Sequence, residues 1–229
     1  MIDTAMILAA GRGERMRPLT DDMPKPLIPV AGRSMLERSV DRLIAHGVTN
    51  IVVNVHHLGR QIADRVGDRA HIIVEDRLLE TGGSVRNALP LLGDGPFFVL
   101  NGDGLWSEGP QPVLRRMQGQ WDGGRMDALL LIHPLHKVIG REARDRGDFF
   151  FDRGRLRYRA TAPLAPYVFA SISICTSHLF RDSPEGPFSL LRLWLRAEEE
   201  GRLFGVEHHG DWFHIGTPEA LAAAEQKLA

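Results

Sequence analysis

Cysteine is almost missing from this sequence: one occurs among 229 residues, at Cys175. An internal disulfide is thereby excluded, and with it a stapled secreted scaffold. Cys175 lies in the apolar run 172–175, which reads as a buried strand rather than as the seat of a nucleophile. Net charge is nearly absent too, at −1 with an isoelectric point near 6.8. No global basic field therefore speaks for nucleic acid or an anionic membrane as a partner. Long hydrophobic runs are lacking, and none approaches the roughly 20 residues of a transmembrane helix. Residues 1–4 carry no basic segment, so no secretory leader is expected and a reducing cytoplasm is the expected setting. Lysine is scarce as well. Three lysines (Lys25, Lys137 and Lys227) stand against 25 arginines, so a lysine inside a glycine–arginine stretch suggests a specific need for one.

What is present has a clear rhythm. Hydrophobic residues make up 43% and charged residues 25%, enough for a sizeable core in a globular chain. Residues 5–9 read as a short buried strand, 51–55 as a second, β-branched strand, and 71–75 and 97–100 as further strands. Helical patterns separate them at 58–66, at 84–92 and after Ser34, where Ser34 and Glu37 make a capping-box pair. In that first helix Met35, Leu36, Val40, Leu43 and Ile44 share a face, and Gly47 ends it. Strand and helix alternating at this spacing predict crossover connections and a parallel sheet covered on both faces, an α/β fold. After Gly104 the rhythm changes. A strand is expected at 128–133, a hairpin of 148–151 and 156–159 about Asp152-Arg153-Gly154, and a strand at 168–175. A helix at 190–200, short strands at 203–207 and 212–215, and a last helix capped by Thr217 ahead of Pro218 complete the reading. No repeat or linker interrupts it, so one domain over 1–229 is expected. Residues 1–104 would bind nucleotide and 105–229 would shape an acceptor pocket.

The stretch from Met6 to Pro26, MILAAGRGERMRPLTDDMPKP, carries the strongest local signal. A dinucleotide loop fits it poorly, because Met16 occupies the third glycine position and Pro18 and Pro24 interrupt the helix that should follow. No Gly-Lys-Ser/Thr follows either, so it is not a Walker loop. Small Ala9, Ala10, Gly11 and Gly13 do let backbone amides approach an anion closely, as a nest for phosphate oxygens. Arg15 can fork onto β and γ phosphates, and Lys25, held between prolines, can bring a compact charge to the α phosphorus. A plain solvated loop is the alternative for the arginines. Asp103, in Asn101-Gly102-Asp103 after the strand 97–100, suits a Mg²⁺ ion that bridges phosphates or, more simply, starts a turn. Glu80-Thr81-Gly82-Gly83 precedes a helix, where its amides could meet a base edge while Thr81 caps the helix. The doublets His56-His57 and His208-His209 point their members to opposite faces if extended, so neither is expected to hold zinc.

Leu8 to Leu27 reads L-A-A-G-x-G-x-R-M-x-P-L-T followed by P-K-P-L, and this pattern resembles the signature of the sugar-1-phosphate nucleotidylyltransferases. Glu80-Thr81-Gly82-Gly83, Asn101-Gly102-Asp103, Gly147-Asp148-Phe149 and Trp212–Thr217 extend the resemblance over nearly the whole chain. It implies a GT-A-like, Rossmannoid three-layer fold with a mostly parallel mixed sheet. It implies transfer of a nucleotidyl group from an NTP to a sugar 1-phosphate, with release of pyrophosphate. Catalytic roles fall on Lys25 and Arg15. Nucleotide contacts fall on Leu8, Ala9, Ala10, Gly11, Gly13, Glu80, Thr81, Gly82, Gly83 and Asn101, and sugar-phosphate contacts on Gly147 and Asp148. Asp103 becomes the ligand of Mg²⁺, with Mn²⁺ as the alternative. Within the family the short chain is most similar to the N-acetylmuramate 1-phosphate uridylyltransferases of cell-wall recycling, with mannose-1-phosphate guanylyltransferases next. A monomer or small homo-oligomer is expected.

The resemblance breaks at one position. Relatives carry an aspartate two residues after the tryptophan of their W-x-D-x-G-T stretch, as the second metal ligand; here His214 stands there. Asp211 is nearby, but its odd separation from 214 puts it on the opposite face of a strand. Three readings remain open at this stage. Asp103 and phosphates alone hold Mg²⁺, the enzyme prefers a softer metal through His214, or the chain is a nucleotide-sugar-binding relative with little catalysis. A Glu-Lys-Pro stretch that larger relatives use on the sugar phosphate is also missing, with Ala162-Pro163-Leu164 in its region.

Overall fold

The computed structural model describes residues 1–228. In chain order, β1 (Thr4–Leu8) leads through the glycine loop to the short pair β2 (Pro29–Val30) and β3 (Arg33–Ser34). Then follow α1 (Met35–His46), β4 (Asn50–Val55), α2 (Gly59–Val66), β5 (His71–Val74), α3 (Glu80–Leu92) and β6 (Phe97–Asn101). The second half holds β7 (Leu105–Trp106), α4 (Val113–Gln120), β8 (Ala128–Pro134), β9 (Phe149–Asp152), β10 (Arg155–Tyr158) and β11 (Tyr167–Cys175). It ends with α5 (Leu190–Glu199), β12 (Leu203–Glu207), β13 (Trp212–Phe213) and α6 (Pro218–Leu228).

Nine of the strands make one mixed sheet in the order β5-β4-β1-β6-β11-β8-β12-β10-β9. The first four are mutually parallel, β11 runs antiparallel to β6 and β8, and β12 is parallel to β8. β9 pairs with β10 and also with β11, so the far end of the sheet closes on itself. The β9–β10 turn places Arg153 and Gly154 both at positive φ, the conformation a two-residue hairpin loop requires.

Alternation along the strands builds two core layers. Ala5, Ile7, Val53, Val55, Phe98 and Leu100 face one way, onto Leu36, Val40 and Leu43 of α1, Ile62 of α2 and Met117 of α4. Met6, Val52, Phe97 and Val99 face the other way, onto Val85 and Ala88 of α3 and Leu193 and Trp194 of α5. Continuous apolar runs such as 5–7 are therefore buried on both sides, as a covered parallel sheet demands. A third, smaller cluster gathers Met16, Met35, Leu105, Phe213, Ile215 and Ala224. It pins the glycine loop to β13 and α6. Met16 is fully buried, worth about 1.5–3 kcal/mol for a side chain of this size.

Several local expectations need correction. Ile44 is 46% exposed, and Ser39 takes its place on the buried face of α1. The cap itself forms, with the Glu37 amide donating to Ser34 Oγ at 3.2 Å and that hydroxyl donating to the Glu37 carboxylate at 2.6 Å. α3 begins at Glu80, so Glu80-Thr81-Gly82-Gly83 forms its first turn and does not precede it. Thr81 does not cap that helix. Its Oγ1 accepts from the Leu190 amide at 2.9 Å and fixes the start of α5. Cys175 is buried in β11, where desolvation pushes its thiol pKa up. Among the described residues no helix is long and apolar enough to cross a membrane.

Candidate active site

The parallel strands β1, β4 and β6 end along one edge of the sheet, and the glycine loop, Asn54 and Asn101 emerge there side by side. In an open α/β sheet this edge borders the ligand crevice. Two adjoining cavities occupy it, of about 610 Å³ and 530 Å³. The first is walled by Leu8, Ala9, Ala10, Gly11 and Gly13 on one side and by Glu80, Thr81 and Ser84 on the other. The second is walled by Gly147, Asp148, Arg144, Arg159 and His214. Arg15, Lys25, Asn101 and Asp103 line both. The residues expected to act on phosphate therefore stand where two bound groups would meet.

The loop's shape has local causes. Gly13 adopts φ 65°, a left-handed conformation, and its carbonyl accepts from the Met16 amide at 2.8 Å and from Thr20 Oγ1 at 3.0 Å. A Cβ on Gly13 would lie 2.9 Å from Lys25 Cβ, so glycine is needed for the turn and for the lysine behind it. Among the described residues no acceptor takes the amides of Ala10, Gly11, Arg12 or Gly13, which leaves them available to an anion. Lys25 opens a short 3₁₀ turn between Pro24 and Pro26. Its side chain is only 13% exposed, and its ammonium pairs with the Asp103 carboxylate. Arg15 is more exposed and is held at 3.0 Å by Glu142, which Arg144 also engages at 2.7 Å.

The pattern reading missed a support beneath the loop. Asn54 is 2% exposed at the end of β4; its Oδ1 accepts from the Ala9 amide at 3.0 Å and its Nδ2 donates to Glu75 Oε1 at 2.8 Å. Glu75, 4% exposed, also accepts from the Leu79 amide at 3.3 Å. The signal was in the sequence: an asparagine inside Ile-Val-Val-Asn-Val is a polar residue where a buried strand should have none. Glu142, Arg144 and Arg159 were missed for another reason. They lie in loop or hairpin segments that the tertiary fold alone brings to the cavity.

Gly82 and Gly83 depart from expectation. Both amides donate to the Phe188 carbonyl, at 2.8 and 3.1 Å, so they are not free to read a base. A Cβ on Gly82 would lie 2.8 Å from that oxygen and closer still to the Phe188 ring. Their smallness lets α3 pack against the segment ahead of α5, while Glu80 and Thr81 remain on the cavity wall. Gly147 and Asp148 do reach the second cavity. Asp148 accepts from the Phe169 amide at 2.9 Å, and burial pushes its carboxyl pKa up.

Asp103 and His214 line the same cavity, whereas Asp211, at the other end of the two-residue strand β13, lines a different one. His214 Nε2 is covered, 3.8 Å from Glu142, and makes no hydrogen bond among the described residues. Among the described residues no three His, Cys, Asp or Glu side chains gather as a metal cage. A lone half-exposed carboxylate at Asp103 fits a hard divalent ion that draws its remaining ligands from phosphates and water.

A family model described as nucleotidyl transferase matches residues 4–135, more than half of the chain and the whole of the glycine-loop side. The chain belongs to the nucleotidyl transferase family. It is 40% identical over 235 residues to an N-acetylmuramate alpha-1-phosphate uridylyltransferase of Caulobacter vibrioides, covering 98% of this chain and 96% of that one. An enzyme of the same description from Neisseria meningitidis is 35% identical over 96% of each chain. Among solved structures, HddC of Yersinia pseudotuberculosis, complexed with GMP-PN, superposes with a TM-score of 0.78 over the full length of both chains. At 21% identity that likeness carries the fold alone. The nucleotidyl transferase fold and enzyme class, of the sugar-1-phosphate kind, thus agree with the reading of the Leu8 to Leu27 stretch.

Proposed function

We propose that this protein transfers a uridylyl group from UTP to N-acetylmuramate 1-phosphate, giving UDP-N-acetylmuramate and pyrophosphate. The observation that carries the substrate assignment is the 40% identity, nearly end to end, to the Caulobacter uridylyltransferase. In this reading the first cavity takes the nucleotide and the second the sugar, so residues 1–104 and 105–229 divide the work within one domain. A sugar phosphate oxygen attacks the α phosphorus. The bond to the bridging β oxygen breaks, and pyrophosphate leaves with its electron pair. A phosphate monoester dianion is already a nucleophile, so no general base is needed and catalysis is alignment with charge neutralisation.

Lys25 stabilises the charge that develops at the α phosphoryl group. Its pairing with Asp103 holds it at the junction of the two cavities, where a substrate phosphate competes for it. The free amides of residues 10–13 and Arg15 hold the departing pyrophosphate. Asp148, Gly147 and Arg159 position the sugar phosphate. Asp103 would hold Mg²⁺, or Mn²⁺, which supplies neutralisation of phosphate charge. Glu80, Thr81 and Asn101 line the nucleotide side, and base selection falls to this wall. We assign the activity to the cytoplasm, to recycling of cell-wall sugar, and to a monomer or small homo-oligomer.

The test is pyrophosphate release by the purified protein with UTP, GTP, CTP, dTTP and ATP. Each is paired with the 1-phosphates of N-acetylmuramic acid, N-acetylglucosamine, glucose and mannose, in Mg²⁺ and in Mn²⁺. One dominant combination, UTP with the muramic sugar, is the expected result. Dominance of GTP with mannose 1-phosphate would replace this substrate assignment. A blank grid with intact NTP binding would mean either that His214 marks lost catalysis or that the sugar lies outside the set, and turnover restored by His214→Asp would decide for the first.

A further inference from the structure

A third cavity, of about 650 Å³, opens at the N-terminal end of β13 and shares no residue with the two cavities of the active site. We propose that it is a binding site for a small hydroxylated phosphate monoester. Of the chain's three lysines, one stands in the active site and the other two, Lys137 and Lys227, both line this cavity, while none of the 25 arginines does. A lysine ammonium is a compact charge on a flexible stem, so two of them can close on one anionic group without the fixed fork of a guanidinium.

The floor is a polar group without a well-formed partner. His133, at the end of β8, is 2% exposed, and among the described residues neither of its ring nitrogens makes a hydrogen bond of good geometry, the Lys137 and His208 backbones only lying near it. Burial holds its pKa below the ordinary histidine value, so at neutral pH the ring offers one donor and one acceptor. A buried polar side chain left unpaired is unfavourable, and a hydroxyl reaching it from the cavity would satisfy it. Its neighbour His208, with ring centroids 5.5 Å apart, is already committed to the Asp211 carbonyl.

The acidic residues on the wall leave the lysines one charge in excess. Glu108 is offset by Arg42 at 3.7 Å and also accepts from the Trp106 indole N–H at 3.1 Å and the Val113 amide at 2.7 Å. Asp211 is fixed through its backbone to Ser107, and its carboxylate makes a loose ion pair with Lys227 at 4.0 Å. It remains able to accept from a second hydroxyl. The ligand class follows from this division: an anionic group for the lysines and hydroxyls for His133 and Asp211. The segments 137–139 and 211–214 lie side by side, joined by Ile139 N to Trp212 O at 3.1 Å and His214 N to Ile139 O at 2.8 Å. Val138 and His214 of these segments line the sugar-side cavity, so a ligand spanning Lys137 and Asp211 clamps one wall of the active site.

The test uses tryptophan fluorescence, because the Trp212 ring lies 6.4 Å from His133 and Trp106 bonds Glu108. The full chain is titrated with glycerol 3-phosphate as the probe, and separately with inorganic phosphate and with glycerol. A saturable change with glycerol 3-phosphate is expected, at least about tenfold tighter than with either fragment. The double variant Lys137→Ala/Lys227→Ala should weaken it by about tenfold or more. It should do so while keeping the native unfolding transition and NTP affinity, since both side chains are exposed. His133→Asn should weaken it with the lysines intact. No saturation by roughly 10 mM, or inorganic phosphate binding equally well, would overturn the proposal. So would a response that survives the double variant but is lost in Lys25→Ala, which would put the probe in the active site.

Discussion

Replacing Asn54 by alanine removes a buried side chain beneath the nucleotide-side cavity, and it should be among the more damaging single changes in this protein. Two buried hydrogen bonds disappear: Ala9 N to Oδ1 at 3.0 Å, and Nδ2 to Glu75 Oε1 at 2.8 Å. The Ala9 amide becomes an orphan donor, worth about 1–3 kcal/mol, and the buried Glu75 carboxylate keeps only the Leu79 amide as a partner. Hydrogen bonds to charged groups are worth about 1.5–3 kcal/mol, so a total near 3 kcal/mol is expected once some solvent enters from the cavity. For a chain of this length that lowers the melting temperature by roughly 6–12 °C. The assay is thermal and urea unfolding of Asn54→Ala, Glu75→Ala and the double variant. A coupling of about 1–3 kcal/mol is expected, because each single change strands the other group. Alongside it the KM for NTP should rise, as Ala9 loses its anchor. Single effects that add within about 0.5 kcal/mol, or an Asn54→Ala cost below about 1 kcal/mol, would refute the reasoning.

Gly82→Ala should destabilise by about 1–3 kcal/mol through overpacking against Phe188, read as a lower urea midpoint with unchanged slope. A neutral effect would mean that the α3–α5 contact is loose. Asp148 has its pKa raised in the folded state, chiefly by burial, so the native protein holds more protons than the unfolded chain just above the ordinary aspartate value. Its ionisation therefore costs stability as pH rises. Asp148→Asn should raise the melting temperature at pH 7, with the gain fading as pH falls to about 4. In the same variant kcat/KM for the sugar phosphate should fall while NTP affinity holds. A gain that grows toward acid pH would contradict the sign of this argument.

The frame was legible because its causes are local. Apolar runs at 5–7, 51–53 and 97–100 could only be strands buried on both faces, and Ser34, Gly47 and Thr217 cap helices by side-chain and backbone chemistry that short sequences encode. The Lys25–Asp103 junction was legible through its motif. What the sequence could not reveal is what each group faces. Gly82 and Gly83 look like a base-reading nest until Phe188, more than a hundred residues away, takes their amides. Ile44 satisfies the helical period yet lies at the edge of the buried stripe. α4 was missed since Arg115, Arg116 and Gly119 dilute its pattern, and so was β7, a two-residue strand formed by pairing with β13, which was expected over 212–215 and spans only Trp212–Phe213. Glu142 holds Arg15 across 127 positions of chain, a pairing no local rule predicts.

The central claim is that Lys25 acts on the α phosphoryl group in the transition state and does not merely help hold the nucleotide. The direct measurement is Lys25→Ala, with kcat from pyrophosphate release and Kd for NTP from calorimetric titration. A fall in kcat of about 10²–10³, with Kd changed by less than about tenfold and the unfolding transition intact, is the predicted result. Comparable losses in kcat and affinity, or a turnover left near that of the unmodified protein, would contradict it.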